Sequence, residues 1–284
     1  MPRPALVSPL QVGPLLVGIV NITADSFSDG GRFLDPAAAI AHARRLAADG
    51  ADIVELGAAA SNVAAGSILP DEEIGRLDPV LTALADSGTP VAVDTYAAET
   101  QRFALSRGVA YLNDIRGFPD PSVYPALAAA SCRLVIMHAA GGIGRAEPLD
   151  LDACEVWRRI TAFFTERIET LERAGIARER LILDPGMGLF LSLRPEASLH
   201  VLARIGRIKE RFGLPVMISV SRKSFLGAIT GRQSPGERGP ATLVAELFAA
   251  RHGADCIRTH DPAALRDALT VTAALNAAIE NSNR

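Results

Sequence analysis

Val17-Gly-Ile-Val-Asn-Ile-Thr-Ala-Asp-Ser-Phe-Ser-Asp-Gly-Gly31 begins as a buried strand and breaks into a polar, glycine-bounded loop. Leu16, Val17, Ile19 and Val20 can fill a core, while Asn21, Thr23, Asp25, Ser26, Ser28 and Asp29 crowd six oxygen-bearing side chains into nine positions. A strand that ends this way on a rigid scaffold usually ends at a site. A solvated turn held by Asx-type hydrogen bonds is the structural alternative. The stretch decides the fold because its theme, an apolar strand running into polar groups, recurs along the chain.

Outward from it, Pro36 to Asp49 places Ala39, Ile40, Ala43 and Leu46 on one helical face, and Gly50 stops it. Strands are expected at 51–57, 90–95, 108–114, 133–138, 181–184, 215–220 and 254–258. The matching helices fall from Pro70 onward and at 97–107, 121–130, 151–174, 195–212, 240–252 and 262–279. Asp71, Glu72 and Glu73 suit the positive end of the helix that begins at Pro70. With the first pair this makes eight βα units. Continuously apolar strands indicate a parallel sheet buried on both faces, and that count fits one closed α/β barrel, (β/α)8, over about residues 14–280 as a single domain. A doubly wound open sheet competes, but no Gly-x-Gly-x-x-Gly follows the first strand.

Composition narrows the function. The chain has 284 residues, is 49% apolar and carries a net charge of −3; its pI is near 6.0. No basic stripe stands out, which argues against a nucleic-acid partner. The three cysteines, Cys132, Cys154 and Cys256, lack metal-type spacing and are odd in number, which fits reduced thiols in a cytoplasmic protein. The N-terminus lacks signal-peptide order, and no apolar run reaches the roughly 18 residues of a membrane span, so no membrane partner is expected.

In a barrel the site lies where the strands end. Those ends read Asn21, Glu55, Asp94, Asn113-Asp114, Met137-His138, Asp184, Ser221-Arg222-Lys223 and Arg258-Thr259-His260. Singly, each has a bland reading: Asp184 before Pro185-Gly186 as a turn, Asp94 as a helix cap. Together they converge on one rim without structural reason. Asp94, Asn113, Asp184 and Lys223 suit the edge of a flat heteroaromatic, where carboxylates accept from ring N–H groups and the amide and ammonium supply donors. Arg258, His260 and Asn21 suit an anion and a metal. The combination points to a heterocycle carrying a phosphate or diphosphate.

Gly18-Ile-Val-Asn-Ile-Thr with Asp25-Ser-Phe-Ser-Asp-Gly-Gly31, Asp94-Thr95, Asn113-Asp114-Ile115, Met137-His138, Leu183-Asp184-Pro185-Gly186, Ser221-Arg222-Lys223-Ser224 and Arg258-Thr259-His260 resemble, in order, the dihydropteroate synthase family. The resemblance implies a TIM barrel that uses Mg²⁺ to join p-aminobenzoate to 6-hydroxymethyl-7,8-dihydropterin diphosphate. It implies an SN1-like course, in which diphosphate leaves before the arylamine attacks. By that resemblance Asp94, Asn113, Met137, Asp184 and Lys223 hold the pterin; Asn21, Arg258 and His260 hold the diphosphate, with Asn21 facing the metal. Ser26, Ser61, Phe190, Arg222 and Ser224 lie by the aminobenzoate. Asp25, Asp94, Asp184, Lys223 and Arg258 are the catalytic set, and Thr23 to Gly31 forms a lid. A homodimer packed through the last barrel helices is implied as well.

The chain departs from the family after the second strand, where Ala58-Ala-Ala-Ser-Asn62 replaces an acidic-Ser-Thr-Arg-Pro-Gly loop. Either the protein binds pterin without turnover, or it builds the aminobenzoate pocket differently. Gly57 to Asn62, Tyr111 to Pro121, Met187-Gly-Leu-Phe-Leu-Ser192 and Ser221 to Gly227 resemble the mobile sulfonamide-resistance members, which favours the second reading and assigns drug discrimination to Phe190. A core aromatic of the following helix is the structural alternative for Phe190. Pterin-dependent methyltransferases of corrinoid systems share the pterin set, but they need no Arg-x-His for diphosphate.

Overall fold

The computed structural model describes residues 13–23, 34–59, 68–141, 146, 147 and 149–282. Eight parallel strands run β1 (Leu15–Asn21), β2 (Ile53–Gly57), β3 (Val91–Asp94), β4 (Tyr111–Asp114), β5 (Arg133–Met137), β6 (Leu181–Asp184), β7 (Met217–Ile218) and β8 (Cys256–Thr259). Between them lie α1 (Pro36–Ala48), α2 (Pro70–Leu84), α3 (Ala98–Ser106), α4 (Tyr124–Ala129), α5 (Ala153–Arg173), α6 (Pro195–Leu202), α7 (Ile205–Phe212), α8 (Ser224–Thr230) and α9 (Gly239–Arg251); α10 (Pro262–Ser282) follows β8. Neighbouring strands pair from β6 through β1 and on to β8 and β7. A single parallel bridge, Leu183 with Val216, closes the ring between β6 and β7. The fold is the expected (β/α)8 barrel.

Two separate cores follow from the alternation of side chains along each strand. Outward residues such as Leu16, Val20, Val54, Leu56, Leu112 and Ile136 pack with the helices. Inward residues form a ring with one member from each strand: Val17, Ile53, Ala92, Tyr111, Val135, Ile182, Met217 and Cys256. This ring plugs the barrel floor, so it is a packed core and not a pore.

The helices start where local chemistry says they should. Asp35 accepts from the Ala37 and Ala38 N–H groups ahead of α1, and Asp152 caps α5 through Glu155 N–H at 2.8 Å. Three expectations need correction. The single helix foreseen over 195–212 is two, because the Arg204 side chain donates to the His200 carbonyl at 3.3 Å and ends α6 there. The strand foreseen over 215–220 keeps two residues: Pro215 has no N–H to give, and Val216 N–H turns to the Asp255 carboxylate at 2.8 Å. Finally α8, seven residues ended by Gly231 at φ 73°, is too short for its periodicity to be read.

Candidate active site at the barrel mouth

Strand parity positions the site. Glu55, Asp94, Asn113, Met137, Asp184 and Arg258 each stand two residues beyond a member of the apolar ring, so the strand faces that fill the floor carry these groups above it. Asn21 ends β1 beside them: a Cβ built on Gly57 would lie 3.9 Å from both Asn21 Oδ1 and Asp94 Cβ.

Arg258 is the hub. Its Nε donates to Glu55 Oε1, and Nη2 donates to Asp94 Oδ2 at 3.3 Å. Glu55 Oε2 in turn accepts from Asn113 Nδ2 at 3.2 Å. Glu55 is only 1% exposed, so its carboxylate depends on these two donors. Asn113 Oδ1 is buried and has no hydrogen-bond partner among the described residues. A buried carbonyl left so is costly unless a ligand satisfies it.

Asp184 sits where β6 turns. Its Oδ1 accepts from Gly186 N–H at 2.8 Å, and its carbonyl accepts from His138 N–H at 2.8 Å. Gly186 adopts φ 74°, and a Cβ there would stand 2.3 Å from the His138 carbonyl oxygen; both facts require glycine. His138 Nδ1 donates to the Pro185 carbonyl at 3.1 Å, and burial pushes its imidazole down to about 4, so the ring is neutral and structural.

The charges at the mouth are strongly perturbed. Desolvation, reinforced by Glu55 and opposed by Arg258, raises Asp94 to about 7. Desolvation also raises Asp184 to about 6, against the pull of Gly186 N–H and Lys223. Lys223 is lowered to about 8 by desolvation and by Arg258, with Asp184 and Asp94 opposing. Groups that titrate this close to neutrality, gathered in a cleft, mark a functional site.

An apolar shelf borders them. Phe190, on the single turn Gly188–Phe190, packs with Ile115, Met137, Ala139 and Ala146, apart from the main core. Phe190 therefore belongs to the mouth and not to the core of the following helix. Lys223 Nζ lies 4.5 Å from the centre of its ring. At Gly188, φ 66°, an added Cβ would come 3.5 Å from Lys223 Cβ and 3.7 Å from Ser224 Oγ, so the Phe190 turn rests against the start of α8.

The segment after β7 is braced by side chains. Arg222 has a left-handed backbone, φ 58°, which only surrounding bonds can sustain. Its N–H donates to Thr242 Oγ1 at 3.0 Å, and its carbonyl accepts from Arg238 Nη1 at 2.8 Å. Arg238 also donates to the carbonyls of Arg232, at 3.1 Å, and Gln233. His260 meets Ser221 Oγ through its backbone N–H at 3.2 Å and its Nδ1 at 2.9 Å. Burial first, then Arg222, Arg258 and Lys223, holds its imidazole well below the ordinary value.

The structure thus brings Asn21, Asp94, Asn113, Met137, Asp184, Phe190, Lys223, Ser224, Arg258 and His260 to one mouth, with Arg222 on its β7 side. Asp25, Ser26 and Ser61, and the lid expected beyond Thr23, lie outside the described residues. The linking role of Glu55 was not assigned from sequence; an acid between Val54 and Leu56, on the inward face of an apolar strand, was the available signal. Nothing in the sequence announced Arg76, whose Nη1 donates to the Ala58 carbonyl at 3.0 Å and holds the chain as it leaves β2. Among the described residues no group of three or more His, Cys, Asp or Glu side chains could hold a metal ion.

The sequence pattern of the family described as pterin binding enzyme matches residues 17–260. The chain belongs to this family. Within it, dihydropteroate synthase type-2 of Escherichia coli is 58% identical over 261 residues, 92% of this chain and 96% of that protein. Dihydropteroate synthase type-1 of Escherichia coli is 50% identical over 259 residues, 91% of this chain and 92% of that protein. Among solved structures, Xanthomonas albilineans dihydropteroate synthase with 4-aminobenzoic acid superposes with a TM-score of 0.82 at 38% identity, over 93% of this chain and 94% of that one. The chain is a dihydropteroate synthase by family, with matches that run almost its full length.

Proposed function

We propose that the chain joins p-aminobenzoate to 6-hydroxymethyl-7,8-dihydropterin diphosphate, releasing diphosphate and forming 7,8-dihydropteroate. One observation carries this reading. Three acceptor groups, Asp94, Asn113 Oδ1 and Asp184, and two cations, Lys223 and Arg258, meet at one barrel mouth, and Asn113 Oδ1 has no hydrogen-bond partner among the described residues. A pterin edge rich in N–H groups fits the acceptors, Lys223 fits its carbonyl and ring nitrogen, and Met137 fits its face.

Arg258 and His260 would bind the diphosphate. As the C–O bond breaks, its electron pair leaves with the diphosphate, and Arg258 stabilises the charge that develops there. Asp94 and Asp184 stabilise the positive charge left on the pterin methylene. The arylamine nitrogen then attacks that carbon and loses a proton. No protein nucleophile takes part. Asn21, Arg222, Ser224 and Phe190 complete the assignment, the last three beside the aminobenzoate, with Asp25, Ser26 and Ser61 added from the family resemblance.

A Mg²⁺ ion fits the donor set only as one held mainly by substrate: Asn21 offers a single amide oxygen, and Mg²⁺ readily keeps waters and phosphate oxygens for its other positions. Asn21 would hold it, and the ion would supply charge neutralisation of the leaving group. Reduced sulfonamide sensitivity is supported by Phe190 at the mouth and by the likeness to the type-1 and type-2 enzymes.

A second copy of the chain is the partner we propose. Val244 and Phe248 on α9 and Val271, Leu275 and Ile279 on α10 are exposed large apolar residues on two adjoining helices. Three unpaired cysteines support a cytoplasmic setting. No described helix is long and apolar enough to cross a membrane.

The test is diphosphate release from the dihydropterin diphosphate with p-aminobenzoate and Mg²⁺, with and without a sulfonamide. Turnover that persists at drug levels inhibiting an ordinary member is the expected result. Pterin binding without release would make the chain a non-catalytic pterin binder, and turnover inhibited at ordinary drug levels would remove the resistance reading alone.

A further inference from the structure

We infer that Glu55 is a positioning residue that fixes which end of the Asn113 amide faces the ligand, and so makes the site select an N–H donor at that contact. The inference rests on the pterin reading above and extends it. Both Glu55 oxygens are engaged, Oε1 by Arg258 Nε and Oε2 by Asn113 Nδ2 at 3.2 Å. Ion-paired to a guanidinium, this carboxylate offers acceptors only. The amide must therefore turn its NH2 toward Glu55. What remains is Asn113 Oδ1, buried and without a partner among the described residues.

The arrangement makes a neutral side chain behave at the ligand as Asp94 and Asp184 do, as an acceptor, without placing a fourth carboxylate beside Glu55, Asp94 and Asp184. An N–H at this contact satisfies a buried carbonyl. A bare ring nitrogen or a carbonyl there leaves it unpaired and sets lone pair against lone pair, a penalty that sites built for hydrogen bonding turn into selectivity. Three groups of a 7,8-dihydropterin carry a donor; N3–H is common to all three ligands compared below and gives no preference among them, so the contact is assigned to one of the other two. One is N8–H, which the oxidised ring lacks; the other is the 2-amino group, which the 2-oxo analogue lacks.

Glu55→Gln exchanges one acceptor for a donor with no change of shape. Gln keeps its carbonyl for Arg258 Nε–H and turns its NH2 to Asn113, whose amide must flip and present NH2 to the ligand. Calorimetry on the full chain compares three ligands: 6-hydroxymethyl-7,8-dihydropterin, its oxidised form and its 2-oxo form. Because Glu55 also raises Asp94 and Asp184 through its charge, the ratios are read in a double-mutant cycle with Asn113→Ala, in which a change carried by the amide disappears. One of the two preferences, dihydro over oxidised or amino over oxo, is expected to fall about tenfold or more in Glu55→Gln. Glu55→Asp, still acceptor-only, should keep it. Glu55→Ala, which frees the amide to turn, should lose part of it and gives the same reading from a second variant. Equal weakening of all three ligands in the folded variants would overturn the inference and leave Glu55 structural. Wild-type protein that binds none of the three would sink the pterin reading instead.

Discussion

Two arcs of the barrel mouth hold their functional groups by different means. On the arc from β2 to β6, Glu55, Asp94, Asn113 and Asp184 are ladder residues, each in register with a neighbouring strand. On the β7 side, Arg222, Lys223 and Ser224 follow a strand of two residues, and bonds from Thr242 and Arg238 to the Arg222 backbone keep them in place. The first arc inherits its geometry from the sheet; the second has it imposed from α9 and the turn before it. The lesson is that the acceptors, and Arg258 with them on β8, sit on the stiffest part of the fold, whereas Arg222 and Lys223 rest on a strained turn that specific side chains sustain.

The comparison can be broken at several points. Arg258 touches the acceptor arc from β8, and Arg258→Ala should lower kcat about 10²- to 10³-fold while KM for aminobenzoate changes little, read by steady-state diphosphate release. A raised KM for the dihydropterin diphosphate with kcat unchanged would assign Arg258 to ground-state binding. Lys223→Ala removes a charged hydrogen bond and should weaken dihydropterin binding about 10- to 100-fold by calorimetry. Phe190→Gly should lower the inhibition constant of a sulfonamide about tenfold more than it alters KM for aminobenzoate, since a steric discriminator at the mouth acts on the bulkier ligand; parallel shifts would make Phe190 a packing residue.

Arg238→Ala tests the brace itself. It should raise KM for aminobenzoate several-fold and weaken dihydropterin binding by less than Lys223→Ala does, because Lys223 stands on the same braced turn as Arg222 and Ser224. The smallest effect concerns the acceptor arc. The Asp94 carboxyl is raised from 3.8 to about 7, so the folded chain binds this proton more tightly than the unfolded one. The stability it contributes is full below the unfolded value and is lost as pH climbs to the folded one. Asp94→Asn should therefore lose less Tm than wild type between about pH 5 and pH 7.5, measured by calorimetry without ligand.

Much of this was legible in the residues. Apolar strands with polar ends announced the barrel, and the same ends named the rim, because parity alone carries a strand's inward face from the ring to the mouth. Asp94, Asn113 and Asp184 could be read that way. Glu55 could have been, but its tie to Arg258 joins β2 to β8 past the β1 strand that lies between them, a contact that no local pattern encodes. The brace on Arg222 was not readable for a similar reason: Arg238 acts through carbonyls, which every residue has, and its sequence neighbours give no hint of the turn it serves. The break at Arg204 likewise depends on one side chain's choice of partner.

Among the described residues the seam between β6 and β7 carries one bridge, Leu183 with Val216, to which the bond from Leu183 N–H to the Pro215 carbonyl at 2.9 Å belongs. Asp184 stands on one side of it and Lys223 on the other. A pterin gripped by both would act as a clasp, fastening the cylinder where its own lacing is thinnest. Amide hydrogen exchange at Leu183 should then slow on ligand binding more than at the well-laced β1–β2 joint, so that occupancy is felt as mechanical closure of the whole barrel.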